Sequence, residues 1–480
     1  MSLSDNQISS LVEAVVKNLQ KSGTIPNLSG KSSPQLSQVK SGPSMSGRGI
    51  FADIDQAVAA ARQAQLDLMD IPLKVREAMI AEIRKRGLAE LETISQMAVS
   101  ETQMGRVSDK INKNMLALTK TPGTEDLIPW VKTGDDGLTL EEWAPYGVIG
   151  AITPTTNATE TLFCNGIGML AAGNAVTFNV HPRAKKVSAY VVAMMNDAVV
   201  SVGGPDNLLT LCEHPTIESA QKLMKHPDIR LLVVTGGPAV VQVAMNSGKK
   251  VIAAGPGNPP VVVDETADIK AAGRGIVNGA TLDNNIVCIA EKEIIVVDEV
   301  ADMLKKALIE AGSLEINKSQ IKALEKIILK DGKVNTDFVG KNANVILSEI
   351  GIKAGDDLRM VLAETEANHP FVTHELLMPV LPLVRVRDVD EGIALAKKVE
   401  DNCRHTAAMH STNITKLHKM ARVMDCSIFV KNAPTYAGLG LDGEGYCSFT
   451  IASPTGEGLT SARDFARVRR CTLKDYFRIV

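Results

Sequence analysis

The sequence predicts an α/β protein built on parallel sheets, and three observations carry that prediction. Apolar runs at Gly147–Thr153, Ala175–Val180, Leu208–Cys212, Ile229–Thr235, Lys250–Ala254 and Val261–Asp264 alternate with helical stretches at 157–172, 184–201, 216–225 and 238–247. The runs are apolar on both faces, as strands covered by helices on both sides must be. A second run of the same kind spans about 266–440, while 124–146 and Arg469–Val480 look like strand-rich pieces outside both sheets. A chain of 480 residues is too long for one small core, so more than one domain is expected.

The first residues form a separate element. Ile8, Leu11, Val12, Val15, Val16 and Leu19 fall on one helical stripe, and Ser4 and Gln7 have the spacing of a capping box. Lys21 to Gly47 is rich in Ser, Pro, Gly and Lys and reads as a flexible linker. A short amphipathic helix on such a leash suits docking to a partner surface; the alternative is a helix folded back on the body or on a sister subunit. Residues 53–118 read as mostly helical.

Composition narrows the function classes. Hydrophobic residues at 45% and charged residues at 22% are ordinary for a soluble globular chain. A net charge of −3 and 3% aromatics give neither the electrostatic footprint nor the stacking platform of a nucleic-acid binder. No apolar run reaches the roughly 18 residues of a membrane span, and no secretory signal is visible at the start. Seven cysteines without CxxC, Cys/His or HExxH spacing point to a reduced, cytoplasmic protein with no metal site.

Four local patterns bear on chemistry. Gly438-Leu439-Gly440-Leu441-Asp442-Gly443 matches GxGxxG, but Pro434 precedes it and the strand-like stretch Tyr446–Ile451 follows, so it is expected to be a loop. Val233-Val234-Thr235-Gly236-Gly237-Pro238 is a better phosphate site: a buried strand ends, two glycines allow close approach, and Pro238 suits a first helical turn. An ordinary strand–helix turn would look the same. Cys288 follows the polar stretch Asp283-Asn284-Asn285 and precedes the strand pattern Glu293–Val297, which suggests a thiol on an exposed loop. Cys164, Cys212 and Cys426 instead sit in apolar runs, as buried thiols do. Asn157 stands at the end of the Gly147–Thr153 run, where its amide could donate to an oxyanion or cap a helix.

Taken with Thr153–Asn157, His181-Pro182, Val234–Pro238, Gly257–Asp268, Asp283–Lys292, Glu375–Pro382, His405-Thr406-Ala407 and Pro454–Gly458, the body from about 49 to the end resembles the aldehyde dehydrogenase superfamily. Within it the chain is most similar to the CoA-acylating propionaldehyde and acetaldehyde dehydrogenases of bacterial microcompartments, and residues 1–20 resemble their encapsulation helix. The resemblance implies Cys288 as nucleophile and Asn157 as oxyanion donor. It implies Glu375 at the nicotinamide ribose, and Thr153, Pro154, His181, Pro182, Thr235, Gly236 and Gly237 as further cofactor-binding positions. It implies NAD, with NADP open because Arg183 follows His181-Pro182, and coenzyme A as co-substrate. The implied fold has an atypical parallel dinucleotide-binding domain at 48–265, with 124–146 as oligomerisation strands. A catalytic α/β domain at 266–440 and a C-terminal segment at 441–480 with a further oligomerisation strand complete it. The implied setting is a homo-oligomer, a dimer or tetramer, held in a microcompartment lumen by shell proteins that grip residues 5–20.

Hydrolytic members of the superfamily carry a glutamate base where this chain has Ala253-Ala254-Gly255-Pro256-Gly257-Asn258. Water needs such a base to attack a thioester, whereas a thiol ionises near pH 8.5 and is strongly nucleophilic. The expected reaction is therefore short-chain aldehyde, NAD⁺ and CoA to acyl-CoA and NADH. His405 is expected either to take the proton of the incoming thiol or to be structural. A hydrolytic dehydrogenase and a non-catalytic microcompartment cargo or adaptor are the alternatives.

Overall fold

The computed structural model describes residues 48–480; the amphipathic stretch at 5–20 and the linker at 21–47 lie outside the described residues. The body opens with four helices, Ile54–Met69, Leu73–Ala89, Leu91–Thr102 and Val107–Lys120. Asp53 starts the first by accepting the N–H groups of Asp55 and Gln56 at 2.8 and 3.1 Å. That side chain satisfies donors which a helix start leaves free.

Two all-parallel sheets follow. The first has six strands in the order Ile50–Phe51, Leu209–Cys212, Ala175–Asn179, Val148–Ile152, Ile229–Thr235 and Lys250–Ala254. Every residue of Val148–Ile152, Ala175–Asn179 and Leu209–Cys212 is buried, as two covered faces require. The helix Ala158–Ala171 is buried along its whole length, Glu160 and Asn165 included. The second sheet has seven strands in the order Ser313–Ile316, Met360–Glu364, Val380–Val386, Glu293–Val297, Pro260–Val263, Thr406–His410 and Ile428–Lys431.

The apolar run at Val261–Asp264, placed by the sequence among the strands of the first sheet, becomes Pro260–Val263 and belongs to the second. The chain crosses between sheets through Gly255-Pro256-Gly257-Asn258-Pro259. Asn258 anchors this crossing by donating from Nδ2 to the carbonyls of Val372 and Val399, both at 3.0 Å. The pieces read outside the sheets form a third, antiparallel sheet: Trp130–Gly134 and Gly137–Pro145 make a hairpin, and Ala466–Lys474 adds to its free side.

Tyr446–Ile451 is not a strand; only Ile451–Ala452 pairs, with Gly458–Leu459. Its backbone is satisfied outside any sheet instead. The Cys447 N–H donates to the Lys120 carbonyl at 3.0 Å and the Thr450 N–H to Ser448 Oγ at 3.1 Å. The glycine-rich stretch before it opens no α-helix; its first two residues close the 3₁₀ turn Thr435–Leu439. Cys164 and Cys212 are buried as expected, but Cys426 is half-buried.

Candidate active site

Cys288 is half-buried, but the stretch that leads to it is not the exposed loop its polarity suggested. Asp283, Asn284 and Asn285 are almost fully buried, and all three have left-handed backbones, with φ of 50°, 54° and 67°. Asn and Asp tolerate that region better than other side chains, yet three in a row need support. They receive it from distant segments. Asp283 accepts the Arg106 N–H at 3.0 Å, Lys110 Nζ at 2.8 Å and Lys113 Nζ at 2.6 Å. Asn284 Nδ2 donates to the Gly340 carbonyl at 2.9 Å and to Asn342 Oδ1 at 2.6 Å. Asn285 Nδ2 donates to the carbonyls of Ala280 and Glu291 at 2.7 and 2.9 Å. Lys292 Nζ closes the loop from behind, reaching Asn285 O and Oδ1 at 2.7 Å each and Val287 O at 3.3 Å. Burial, and behind it the Glu375 carboxylate, push the Cys288 thiol up to about 12, while Lys292 pulls the other way.

Asn157 sits at the N-terminus of Ala158–Ala171, where a cap would be, but its side chain makes no cap hydrogen bond. It is 3% exposed, its Oδ1 has no partner, and its Nδ2 reaches only Thr156 Oγ1, at 3.4 Å. A buried amide left this free costs stability unless it is used.

His405 and Glu375 meet at Gly257. A Cβ built on Gly257 would lie 2.8 Å from the Cys288 carbonyl oxygen and 2.9 Å from His405 Cγ, so the crossing segment touches both. The Gly257 N–H points to Glu375 Oε1 at 3.4 Å, and burial raises that carboxyl above its usual range. His405 is buried; its N–H donates to Glu400 Oε1 at 2.8 Å, Nδ1 pairs with Thr406 Oγ1 at 2.9 Å, and Nε2 has no partner. Burial, reinforced by the Lys292 charge, pushes the imidazole down to about 3, so the ring is neutral at working pH.

The remaining expected positions lie at the carboxyl ends of the first sheet's strands, where open α/β sheets take ligands. Ile152 is in register with Asn179 and with Val234, which brings Thr153, His181 and Thr235 to one edge. Thr153 Oγ1 is buried without a partner, and half-buried Pro154 follows it. His181 accepts the Arg183 N–H at 3.1 Å and starts the short turn Pro182–Ala184. Thr235 Oγ1 pairs with Thr450 Oγ1 at 3.2 Å. Gly236 already donates its N–H to Ala254 O at 3.1 Å, so it is Gly237, with open space around its Cα, that faces solvent at the start of Pro238–Met245. The free Thr153 hydroxyl, the lightly bonded Glu375 carboxyl and the open Gly237 fit a dinucleotide.

Reading the sequence missed Lys292 and Glu291. Both are buried; Lys292 acts on Cys288 through its charge, and Glu291 accepts the Thr435 N–H and hydroxyl at 2.9 Å each. Burial raises this carboxyl to about 7. Adjacent opposite charges just ahead of an apolar strand were the available signal.

Residues 47–325 match the model of the aldehyde dehydrogenase family. The chain is 51% identical over 439 residues to the acetaldehyde dehydrogenase (acetylating) EutE of Salmonella typhimurium, covering 90% of this chain and 94% of the relative. It is 45% identical over 469 residues to the propanal dehydrogenase (CoA-propanoylating) of Citrobacter freundii, covering 98% and 99%. Among solved structures, Rhodopseudomonas palustris propionaldehyde dehydrogenase with bound CoA and an acylated cysteine superposes with a TM-score of 0.88 at 51% identity, covering 89% of this chain and 98% of that one. An engineered glycolyl-CoA reductase with bound NADP⁺ gives 0.89 at 50% identity, covering 90% and 99%. Matched by that family model over residues 47–325 and 51% identical to EutE across 90% of its length, the chain belongs to the aldehyde dehydrogenase family.

Proposed function

We propose that this protein is a CoA-acylating aldehyde dehydrogenase that takes a short-chain aldehyde, propionaldehyde ahead of acetaldehyde, to acyl-CoA. The single observation that carries the choice of acceptor is the crossing at 253–258: it holds no carboxylate, and Gly257 packs directly on Cys288 and His405. Without a base, water is a poor nucleophile towards a thioester, while the thiol of CoA needs far less help.

Cys288 gives up its proton to solvent and its sulfur bonds to the aldehyde carbon. The Asn157 amide and the Cys288 N–H stabilise the oxyanion that forms. Thr153, Pro154, His181, Pro182, Thr235, Gly236, Gly237 and Glu375 would hold NAD, with NADP as second choice, which would supply the acceptor for the hydride lost as the carbonyl re-forms. The acyl group then stays on Cys288 as a thioester. CoA sulfur attacks that carbonyl, His405 Nε2 takes the thiol proton, and Cys288 leaves as thiolate. The sum is aldehyde, NAD⁺ and CoA to acyl-CoA, NADH and a proton.

The same reading places the protein in a microcompartment lumen, with residues 5–20 gripping shell proteins. Similarity to a propionaldehyde dehydrogenase from the Clostridium phytofermentans fucose utilisation bacterial microcompartment supports the setting, and the Citrobacter freundii match over 98% of the chain reaches into its first residues. Exposed Trp130, Val131 and Val468 on the antiparallel sheet support a homo-oligomer.

Mass spectrometry of protein mixed with propionaldehyde and NAD⁺ tests the reading. An acyl adduct on Cys288, cleared by CoA, is expected, and Cys403→Ala, which removes another half-buried thiol, should keep it. Steady NADH formation over many turnovers without CoA would mean hydrolysis instead. Deleting residues 1–20 should leave activity intact and abolish co-purification with shells; retained encapsulation overturns that part.

A further inference from the structure

Two cations and two carboxylates are sealed inside the body with no access to water. Lys113 Nζ lies 2.6 Å from Asp283 Oδ2 and 3.0 Å from Glu160 Oε1, and Lys110 Nζ lies 2.8 Å from the same Asp283 oxygen. All four side chains are 2% exposed or less. The Phe449 ring covers the Lys113 ammonium at 5.7 Å. The formal charges cancel, which is the condition for tolerating such groups in the interior.

What Lys113 joins matters more than its burial. Glu160 lies in the first turn of the helix that starts beside Asn157. Asp283 begins the left-handed run that leads to Cys288. One carboxylate belongs to the helix next to Asn157 and the other to the run that leads to Cys288, and one ammonium on the Val107–Lys120 helix touches both.

We infer that Lys113 is a positioning residue that fixes the reach between the Asn157 amide and the Cys288 sulfur. The inference rests on the roles proposed above for those two residues. A tie of this kind works through geometry: the oxyanion donor helps only if it meets the oxygen within hydrogen-bond distance, and a shift of about 1 Å can cost about 10²-fold in rate. Lys113 itself touches no reacting atom, and its burial against charged partners leaves it no route to substrate.

Charge balance allows the tie to be cut without leaving an unmatched charge. Lys113→Met alone, or Glu160→Gln alone, breaks the balance and should lower Tm. The double variant K113M/E160Q leaves Lys110 facing Asp283, restores neutrality and should regain most of that loss. Three measurements on full-length protein then separate position from fold. Iodoacetamide alkylation of Cys288 needs no oxyanion donor, so it reads only the weak lowering of the thiol by the Lys113 charge and should fall by less than about threefold in the double variant. Single-turnover NADH formation with propionaldehyde and NAD⁺ should fall about 10–10²-fold. In an Asn157→Ala background the same double substitution should cost less than about threefold further, because the donor it positions is already gone.

A double variant that transfers hydride within about threefold of wild type overturns the inference. So does one no more stable than the single variants, or one whose loss is equally large with and without Asn157. If wild-type protein forms no acyl adduct on Cys288, the catalytic reading fails first; if it does and the double variant remains fast, only the role of Lys113 fails.

Discussion

Gly257 and the ring of His405 are in van der Waals contact, so close that a methyl group at 257 would sit 2.9 Å from Cγ and 2.8 Å from the Cys288 carbonyl oxygen. Both distances are below what packed carbon atoms accept, so Gly257→Ala must displace one or the other. The crossing between the sheets is therefore a wall of the site as well as a connection. Gly257→Ala should lower turnover by about 10-fold or more while leaving secondary structure intact. Circular dichroism with steady-state NADH assays checks this.

Asn157→Ala removes the amide that the fold leaves without a cap bond. Loss of one oxyanion donor costs about 10²–10³ in turnover. Because the Asn157 side chain makes no cap hydrogen bond, Tm should change little. A large drop in Tm with a small drop in kcat would assign Asn157 to capping after all.

His405 is pushed down to about 3 by burial and by Lys292, so it carries no proton at assay pH and the rate should show no inflection from it between pH 5 and 8. His405→Gln should leave the first burst of NADH intact and slow CoA-dependent deacylation by about 10-fold, less than the loss of a base matched to the thiol would cause. Rapid-mixing measurements of burst and steady state separate the two. Equal loss in both phases would leave His405 a structural role.

Glu375 raises the Cys288 thiol by its charge, second only to burial. Glu375→Gln removes that charge, lowers the thiol pKa and enlarges the thiolate fraction at any pH below about 12. Cofactor-free Glu375→Gln protein should therefore be alkylated at Cys288 faster than wild type at pH 8, even though its cofactor affinity falls. Slower alkylation would contradict the charge assignment.

Glu291 titrates near 7 when folded, against 4.5 for an unburied carboxyl. The folded protein binds this proton more tightly, so its contribution is fully present below about pH 4.5 and is lost as pH rises to about 7. The loss amounts to about 3 kcal/mol at most. Glu291→Gln can still accept from Thr435 and does not ionise. Its stability relative to wild type should climb between pH 4.5 and 7 and then stay level. Thermal unfolding at pH 5, 6, 7 and 8 measures this directly.

Much of the fold was legible because parallel strands buried on both faces leave an unbroken apolar mark. Ile229–Thr235, Lys250–Ala254 and Glu293–Val297 end where the sequence placed them. Pro260–Val263 has the same mark, but membership of one sheet or the other depends on partners far along the chain. The Asp283–Asn285 stretch misled for a related reason. Polarity signals exposure only when water is the partner, and here the partners are Arg106, Lys110 and Lys113, more than 150 residues earlier. Tyr446–Ile451 looked like a strand because its apolar residues are buried, yet side-chain hydroxyls and a helix end hold its backbone. Cys288, Asn157, His405 and Glu375 emerged through the resemblance; Lys292, Glu291 and Lys113 needed the coordinates, since buried charges look like surface charges in a one-dimensional string.

The antiparallel sheet has a consequence for biosynthesis. Ala466–Lys474 pairs along the whole of Gly137–Pro145, and Arg470 meets Glu141 across a separation of 329 residues. At roughly 5–20 residues per second, a ribosome delivers the third strand roughly 15–65 s after the hairpin has emerged. During that interval Gly137–Pro145 offers an open edge, the kind of surface on which nascent chains stick to one another. Crowded polysomes should therefore be the hardest place for this chain to survive, and slowing initiation rather than elongation is the gentler way to raise its yield.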